Sequence, residues 1–420
     1  MPFSKIPRLF ALARFAGLTA AATLFAAENH AQSRPPVLFD TSFEDASLGR
    51  IEVVDENTFR LHVAGQEDER GHNRQANWYY FRMDHVAGRD LTIVLTDWVG
   101  EYDDKPGAVA MGPEMRPFYS EDGEHWQAFA DMAWDRTKSE ATLKFHPTSD
   151  SIWIAHQPPY PYSREQRLLG EIDRSPYARV ELIGRSVLGR DLNLVTVTNL
   201  DRPDDAKKLV WLITRQHAWE TGTSFAMEGA LRFITSEDPR ARSLRDHVVF
   251  KFTPLMDPDG CATGKVRFNA HGYDLNRYWE RVDLRDKQWL RKMPEIWYVK
   301  KAILAQQARH PIDLLVNFHN DEVNEYLDTM VEGGPTLAMM QRFFRQLTAE
   351  STFDPTRTET TVVAHPARPT TNVLWLEDRV PVISLEQGIA PVKKLHGRPT
   401  AEDRTNFGAQ LIAVMGEVVQ

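Results

Sequence analysis

The chain carries a single cysteine, Cys261, in 420 residues. No intramolecular disulfide can form, so stability has to come from a buried core or a bound metal. A positive excess is missing as well: 50 Lys and Arg stand against 59 Asp and Glu, a net charge of −9. A protein that tracks phosphates needs a basic stripe, and without one general nucleic-acid binding is excluded. Internal repeats and low-complexity tracts are also absent. Hydrophobic content of 42% and charged content of 26% exclude a disordered or multi-spanning chain.

What is there begins with a leader pattern. Lys5, Arg8 and Arg14 precede or open an apolar run from Phe15 to Ala27, and Ala31-Gln32-Ser33 follows as a small-x-small cleavage site. The run is short of the roughly 20 residues a membrane span needs. Residues 1–33 therefore read as a secretory signal peptide, which predicts a periplasmic or secreted protein with no stable membrane span after its removal. An N-terminal anchor helix is the alternative.

From 34 to 156, short alternating apolar runs such as Phe59 to Val63 and Leu91 to Leu95 are punctuated by turn signals, among them Lys105-Pro106-Gly107 and Asp122-Gly123. This predicts an N-terminal antiparallel β-sandwich. Trp78, Trp98, Trp126 and Trp153 fit its core, a carbohydrate groove being the other reading. The cluster Gln157-Pro158-Pro159-Tyr160-Pro161-Tyr162 marks a boundary. Beyond it, over 157–420, strands alternate with helical stretches around Ser163 to Ile172, Thr221 to Ile234, Trp289 to Gln307 and Leu337 to Thr348. That alternation predicts a mixed-sheet α/β domain layered by helices.

Three apolar runs in that part end on chemistry. Leu209 to Ile213 leads into His217 and Glu220, Asp313 to Phe318 leads into His319, and Val380 to Leu385 leads into Glu386. Ligands gather beyond the carboxyl ends of strands in open α/β sheets. Two histidines and a carboxylate leave an open fourth position on zinc, the arrangement of a hydrolytic site. Glu386 can take a proton from a water and pass it to a leaving amine. Taken singly, each residue also fits a helix start, a loop histidine or a surface acid. Between the runs, Asp257-Pro258-Asp259-Gly260 is a turn signal. Asn276 and Arg277 offer an amide and a planar fork suited to a carboxylate, and Arg267 can face an oxyanion; structural salt bridges are the alternative for both arginines.

The order of parts resembles the zinc metallocarboxypeptidase family, most closely its cytosolic-carboxypeptidase branch. Phe39-Asp40-Thr41-Ser42-Phe43-Glu44 and Asn77-Trp78-Tyr79-Tyr80-Phe81 are similar to the opening of that branch's N-terminal sandwich. Ile183 to Arg190 is similar to the strand pair before the metal site, Arg215 to Thr221 to the metal motif, and Asp274-Leu275-Asn276-Arg277 to the substrate-carboxylate motif. The resemblance implies one zinc ion on His217, Glu220 and His319. It also implies Glu386 as general base and acid, Arg267 on the scissile carbonyl, and Asn276 with Arg277 on the terminal carboxylate. Three positions depart from the pattern: Asp257 replaces asparagine, Asn320 replaces serine, and Thr370-Thr371-Asn372 stands where glutamate-removing members have a basic residue.

The expected activity is zinc-dependent hydrolysis of the C-terminal amide bond of a peptide or peptide-like substrate with a free carboxylate. A zinc amidohydrolase or deacylase of non-peptide amides is one alternative, and a catalytically inactive peptide- or glycan-binding protein is another. Cys261 is expected to be buried and inert.

Overall fold

The computed structural model describes residues 34–102, 104–109, 111–356, 361–362 and 371–420. The predicted signal peptide, 1–33, and Thr370 lie outside the described residues.

Alternation decides the first part. In Thr58–His62 the side chains of Phe59 and Leu61 are buried while Thr58, Arg60 and His62 face outward, as period-2 patterning requires of a half-covered strand. Two five-stranded sheets result. One runs in the order Leu38–Asp40, Tyr80–Asp84, Ser151–Ala155, Phe118–Ser120, Gln127–Ala128. The other runs Ala133–Asp135, Glu140–Phe145, Leu91–Thr96, Thr58–His62, Ile51–Val53. Neighbours are antiparallel except for Thr58–His62 beside Leu91–Thr96, which is a parallel pair. Trp78 and Trp98 are core residues, as expected; Trp126 and Trp153 are only half-buried against the same cluster. A small third sheet contains the hairpin Gln66–Glu67 and Arg74–Gln75.

The second part is built on an eight-stranded mixed sheet. At its centre Val248–Thr253, Lys208–Ile213, Leu314–Asp321 and Val382–Gly388 lie parallel side by side. Lys208–Ile213 shows why their sequences do not alternate. Val210 and Leu212 enter one apolar cluster with the helices Thr221–Ile234 and Ala401–Val418, while Leu209, Trp211 and Ile213 enter another with Pro294–Arg309. Helices cover both faces, so both sets of side chains must be apolar.

Several boundaries differ from the sequence reading. His319 and Glu386 do not follow their strands but lie inside them, because Asn320, Asp321, Gln387 and Gly388 continue the ladder. Asp257-Pro258-Asp259-Gly260 is no simple turn: it opens a short helix, Pro258–Thr263, whose N-cap Asp257 accepts from the Gly260 amide at 2.9 Å. Helix Thr221–Ile234 has its expected bounds, yet is buried on nearly all sides. It packs on the C-terminal helix Ala401–Val418, which begins on a capping box of Thr400 and Asp403. A Cβ at Gly229 would lie 1.8 Å from the Thr405 carbonyl oxygen, and one at Gly408 1.7 Å from that of Ala226. These two glycines set how closely the helices approach.

Pro36 to Gln420 forms one compact unit, and its two parts share a core. Trp219, Val266, Ile389 and Ala390 belong to the same apolar cluster as the sandwich interior. Among the described residues no helix is long and apolar enough to cross a membrane.

Candidate metal centre

The strand Lys208–Ile213 stops four residues short of His217, and the intervening turn is held by an arginine. Arg215 adopts a left-handed backbone (φ 54°) and is fully buried. Its guanidinium donates to the carbonyls of Tyr160 (3.1 Å) and Ala218 (2.6 Å) and to Ser224 Oγ (3.0 Å). That brace turns the chain so that His217 and Glu220, the latter just before the first turn of Thr221–Ile234, face the neighbouring strand. Such a strained, buried, non-glycine residue persists only where its surroundings over-determine it.

Three predicted ligands meet there. Donor atoms of His217, Glu220 and His319 lie within 4.8 Å of one another, and all three residues are buried. Glu220 Oε1 is 2.6 Å from His217 Nδ1, and its Oε2 is 3.0 Å from His319 Nδ1. The imidazole rings stand 5.0 Å apart. Burial pushes the Glu220 carboxyl up, but the charges of His319 and His217 outweigh it and hold the group at about 2. Burial depresses His319, against the pull of Glu220.

The fit to a divalent cation rests on the other side of His217. Its Nε2 is 3.1 Å from Asp274 Oδ1. A proton on Nε2 shared with that carboxylate leaves the Nδ1 lone pair aimed at Glu220, which is how second carboxylates orient metal-binding histidines. Two Nδ1 lone pairs and a carboxylate, with no further His, Cys or acidic ligand grouped with them among the described residues, suit zinc with an open position.

Asp274 also collects the rest of the site. Its Oδ2 accepts from Arg267 Nε at 2.7 Å and its Oδ1 from the Asn276 amide at 2.8 Å. Burial pushes this carboxyl up, yet Arg267 and His217 hold it well below the usual range. Asp274 stands at the head of the Asp274-Leu275-Asn276-Arg277 motif, and its role emerges only from these contacts. Its signal was the spacing of an acid two and three residues ahead of Asn276 and Arg277.

Asn276 is buried. Its Oδ1 lies 3.3 Å from Asn317 Nδ2 and 3.4 Å from Thr371 Oγ1, within an amide network that includes Gln216. Arg277 donates from Nη1 to the Asn276 carbonyl at 2.7 Å. It lines a cavity of about 380 Å³ together with Arg267, Asp274 and Tyr278. Glu386 is half-buried and sits directly beside His319 in the parallel register, so the two side chains share a face of the sheet. Tyr326 pairs with Glu386 from the other side, a neighbour visible only once the register is known. Burial, with Glu220 and Asp321, raises the Glu386 carboxyl well above its ordinary range, opposed by Arg267.

The three departures fall outside the metal triad. Asn320 points to the opposite face, where a Cβ on Gly222 would meet its Oδ1 at 2.8 Å. Asp257 caps its short helix, and Thr371 lies in the amide network against Asn276. Cys261 is buried.

The sequence profile described as zinc carboxypeptidase matches residues 169–322, and that of the cytosolic carboxypeptidase N-terminal domain matches 39–156. Human cytosolic carboxypeptidase 2 is 28% identical over 309 residues, covering 67% of this chain and 32% of that protein. Mouse cytosolic carboxypeptidase 6 is 28% identical over 297 residues, covering 67% of this chain and 52% of the relative. The chain thus spans about a third to a half of those relatives. A metallo-carboxypeptidase from Burkholderia cenocepacia superposes with a TM-score of 0.78 at 24% identity, over 91% of this chain and 99% of its own. This likeness bears on the fold.

Proposed function

Since the chain belongs to the zinc carboxypeptidase family, we propose that it hydrolyses the C-terminal amide bond of peptides, or of peptide-like substrates with a free terminal carboxylate. The observation that carries this is the convergence of His217, Glu220 and His319 on one point, tied through Asp274 to Arg267 and Asn276. One zinc ion held by the triad would supply Lewis-acid polarisation and water activation.

The chain's own residues do the remaining work. Glu386, beside His319 in the parallel register, accepts the proton of the attacking water and delivers it to the leaving amine. Arg267 faces the oxygen on which negative charge develops. Asn276 and Arg277 hold the substrate's terminal carboxylate through charge-assisted hydrogen bonds. Asp274 fixes the imidazole of His217 and the guanidinium of Arg267 in one geometry.

Digestion of a peptide library, scored by mass, tests the reaction. Loss of single C-terminal residues, abolished by a chelator and restored by zinc, is the expected result; internal cleavage or chelator-resistant activity contradicts it. For the amidohydrolase alternative, Arg277→Ala decides. A large rise in KM for substrates with a free carboxylate, and none for their amides, supports exopeptidase action. Export is part of the same proposal, supported by residues 5–33 alone, although the relatives quoted bear the name cytosolic. N-terminal sequencing of the protein from its native host should find a start near residue 34, and an intact Met1 would contradict it.

A further inference from the structure

The loop that carries Arg267 is held from the small third sheet of the N-terminal part, some two hundred residues away in sequence. Gln66 Oε1 accepts from three successive backbone amides: Val266 at 3.0 Å, Arg267 at 2.7 Å and Phe268 at 2.9 Å. The same side chain returns a hydrogen bond from Nε2 to the Phe268 carbonyl at 2.6 Å. Consecutive amides converging on one oxygen form the concave arrangement that otherwise holds an anion. Here a neutral amide from another part of the fold fills it.

The hairpin presenting Gln66 is itself stiff. Asp68 accepts from the amides of Arg70 (3.2 Å), His72 (2.9 Å) and Asn73 (3.3 Å), closing its turn. Its backbone also docks on the same loop, the Glu69 amide donating to the Gly272 carbonyl at 3.0 Å. A Cβ at Gly272 would come within 2.5 Å of the Glu69 nitrogen, and φ there is +83°, so the approach depends on glycine. Downstream of the clamp, Arg267 Nε reaches Asp274, and Asp274 reaches His217.

We infer that Gln66 is a positioning residue for Arg267: by fixing the backbone of residues 266–268, the hairpin of the small third sheet sets where the oxyanion-facing guanidinium stands. The inference rests on the role of Arg267 given above. It assigns the N-terminal part of the chain, through its small third sheet, a part in catalysis that needs no contact with substrate. Because a small displacement of a group acting in the transition state costs rate and not ground-state affinity, its loss should appear in kcat.

The test compares Gln66→Met, which removes acceptor and donor at similar volume, with Gln66→Glu, which keeps an acceptor oxygen. Both are prepared as the full chain loaded with zinc, with metal content and thermal midpoint recorded. Gln66→Met is expected to speed amide hydrogen exchange in the peptide spanning 266–268. It should also lower kcat roughly 10- to 100-fold, with KM changed by less than about 2-fold. Gln66→Glu should retain slow exchange and most of kcat. Faster exchange with undiminished kcat in Gln66→Met would overturn the inference, and so would a rise in KM alone. Should Gln66→Met not fold, a folded Gln66→Glu that loses slow exchange or most of its kcat overturns it equally. Arg267→Ala run alongside separates the two levels: wild-type turnover there refutes the role of Arg267, whatever Gln66 does.

Discussion

At the scale of single residues, Asp274 joins the metal side of the site to the substrate side, because one carboxylate touches His217, Arg267 and the Asn276 amide. Asp274→Asn keeps the size and loses the charge. We expect zinc affinity to fall about 10- to 100-fold, in line with other partners of metal-binding histidines; competition with a chromophoric chelator measures it, and unchanged affinity would refute the linkage. A second prediction concerns buried acids away from the metal. Burial raises Glu165 to about 7 from its ordinary 4.5, opposed mainly by Arg215. The folded form therefore keeps its proton between those values while the unfolded chain gives it up, so stability from this group is full below about pH 4.5 and declines as pH rises to about 7. Glu165→Gln should flatten that decline, gaining up to about 3 kcal/mol relative to wild type at pH 8 against pH 4.5. Thermal midpoints of both proteins across this range provide the check, and parallel pH profiles would contradict it.

At the scale of elements, the ligand loop sits between a strand and a helix whose position depends on glycine. Gly229 and Gly408 let Thr221–Ile234 and Ala401–Val418 approach until a methyl would overlap a carbonyl. Gly408→Ala should cost about 2 kcal/mol or more, as overpacking does, read as a lower denaturant midpoint, and should weaken zinc retention by shifting the helix that follows Glu220. An unaltered midpoint would mean that the helices separate freely. Little of this contact was visible in the chain, since glycines that meet across helices carry no periodic mark. The central strands were legible because unbroken apolar runs require cover on both faces, and the ligands were legible because those runs stop at histidine or acid. Two strands run further than their apolar runs indicate: Asn320, Asp321 and Gln387 look like terminators, yet their backbones pair regardless of side chain. Asp274 as orienter, Tyr326 beside Glu386 and Gln66 as clamp depend on register and tertiary contact, which no local pattern encodes.

At the scale of the whole molecule, the sandwich and the α/β part are not separable modules. Trp219, next to the candidate metal ligand Glu220, and Val266, next to Arg267, are buried in the sandwich core. Calorimetry of the chain from residue 34 should show one cooperative transition, and residues 157–420 alone should fail to give a sharp one; two independent transitions would contradict this reading. The proposed reaction likewise draws on the whole assembly, since it needs the central strands, the loop of Arg267 and the turn bearing His217 and Glu220 together with Glu386. Its most direct test is Glu386→Gln, prepared with zinc content measured. The expected result is one zinc per chain with turnover of a C-terminal peptide bond lowered by about 10²- to 10⁴-fold. Turnover near wild type in the zinc-loaded variant would contradict the account.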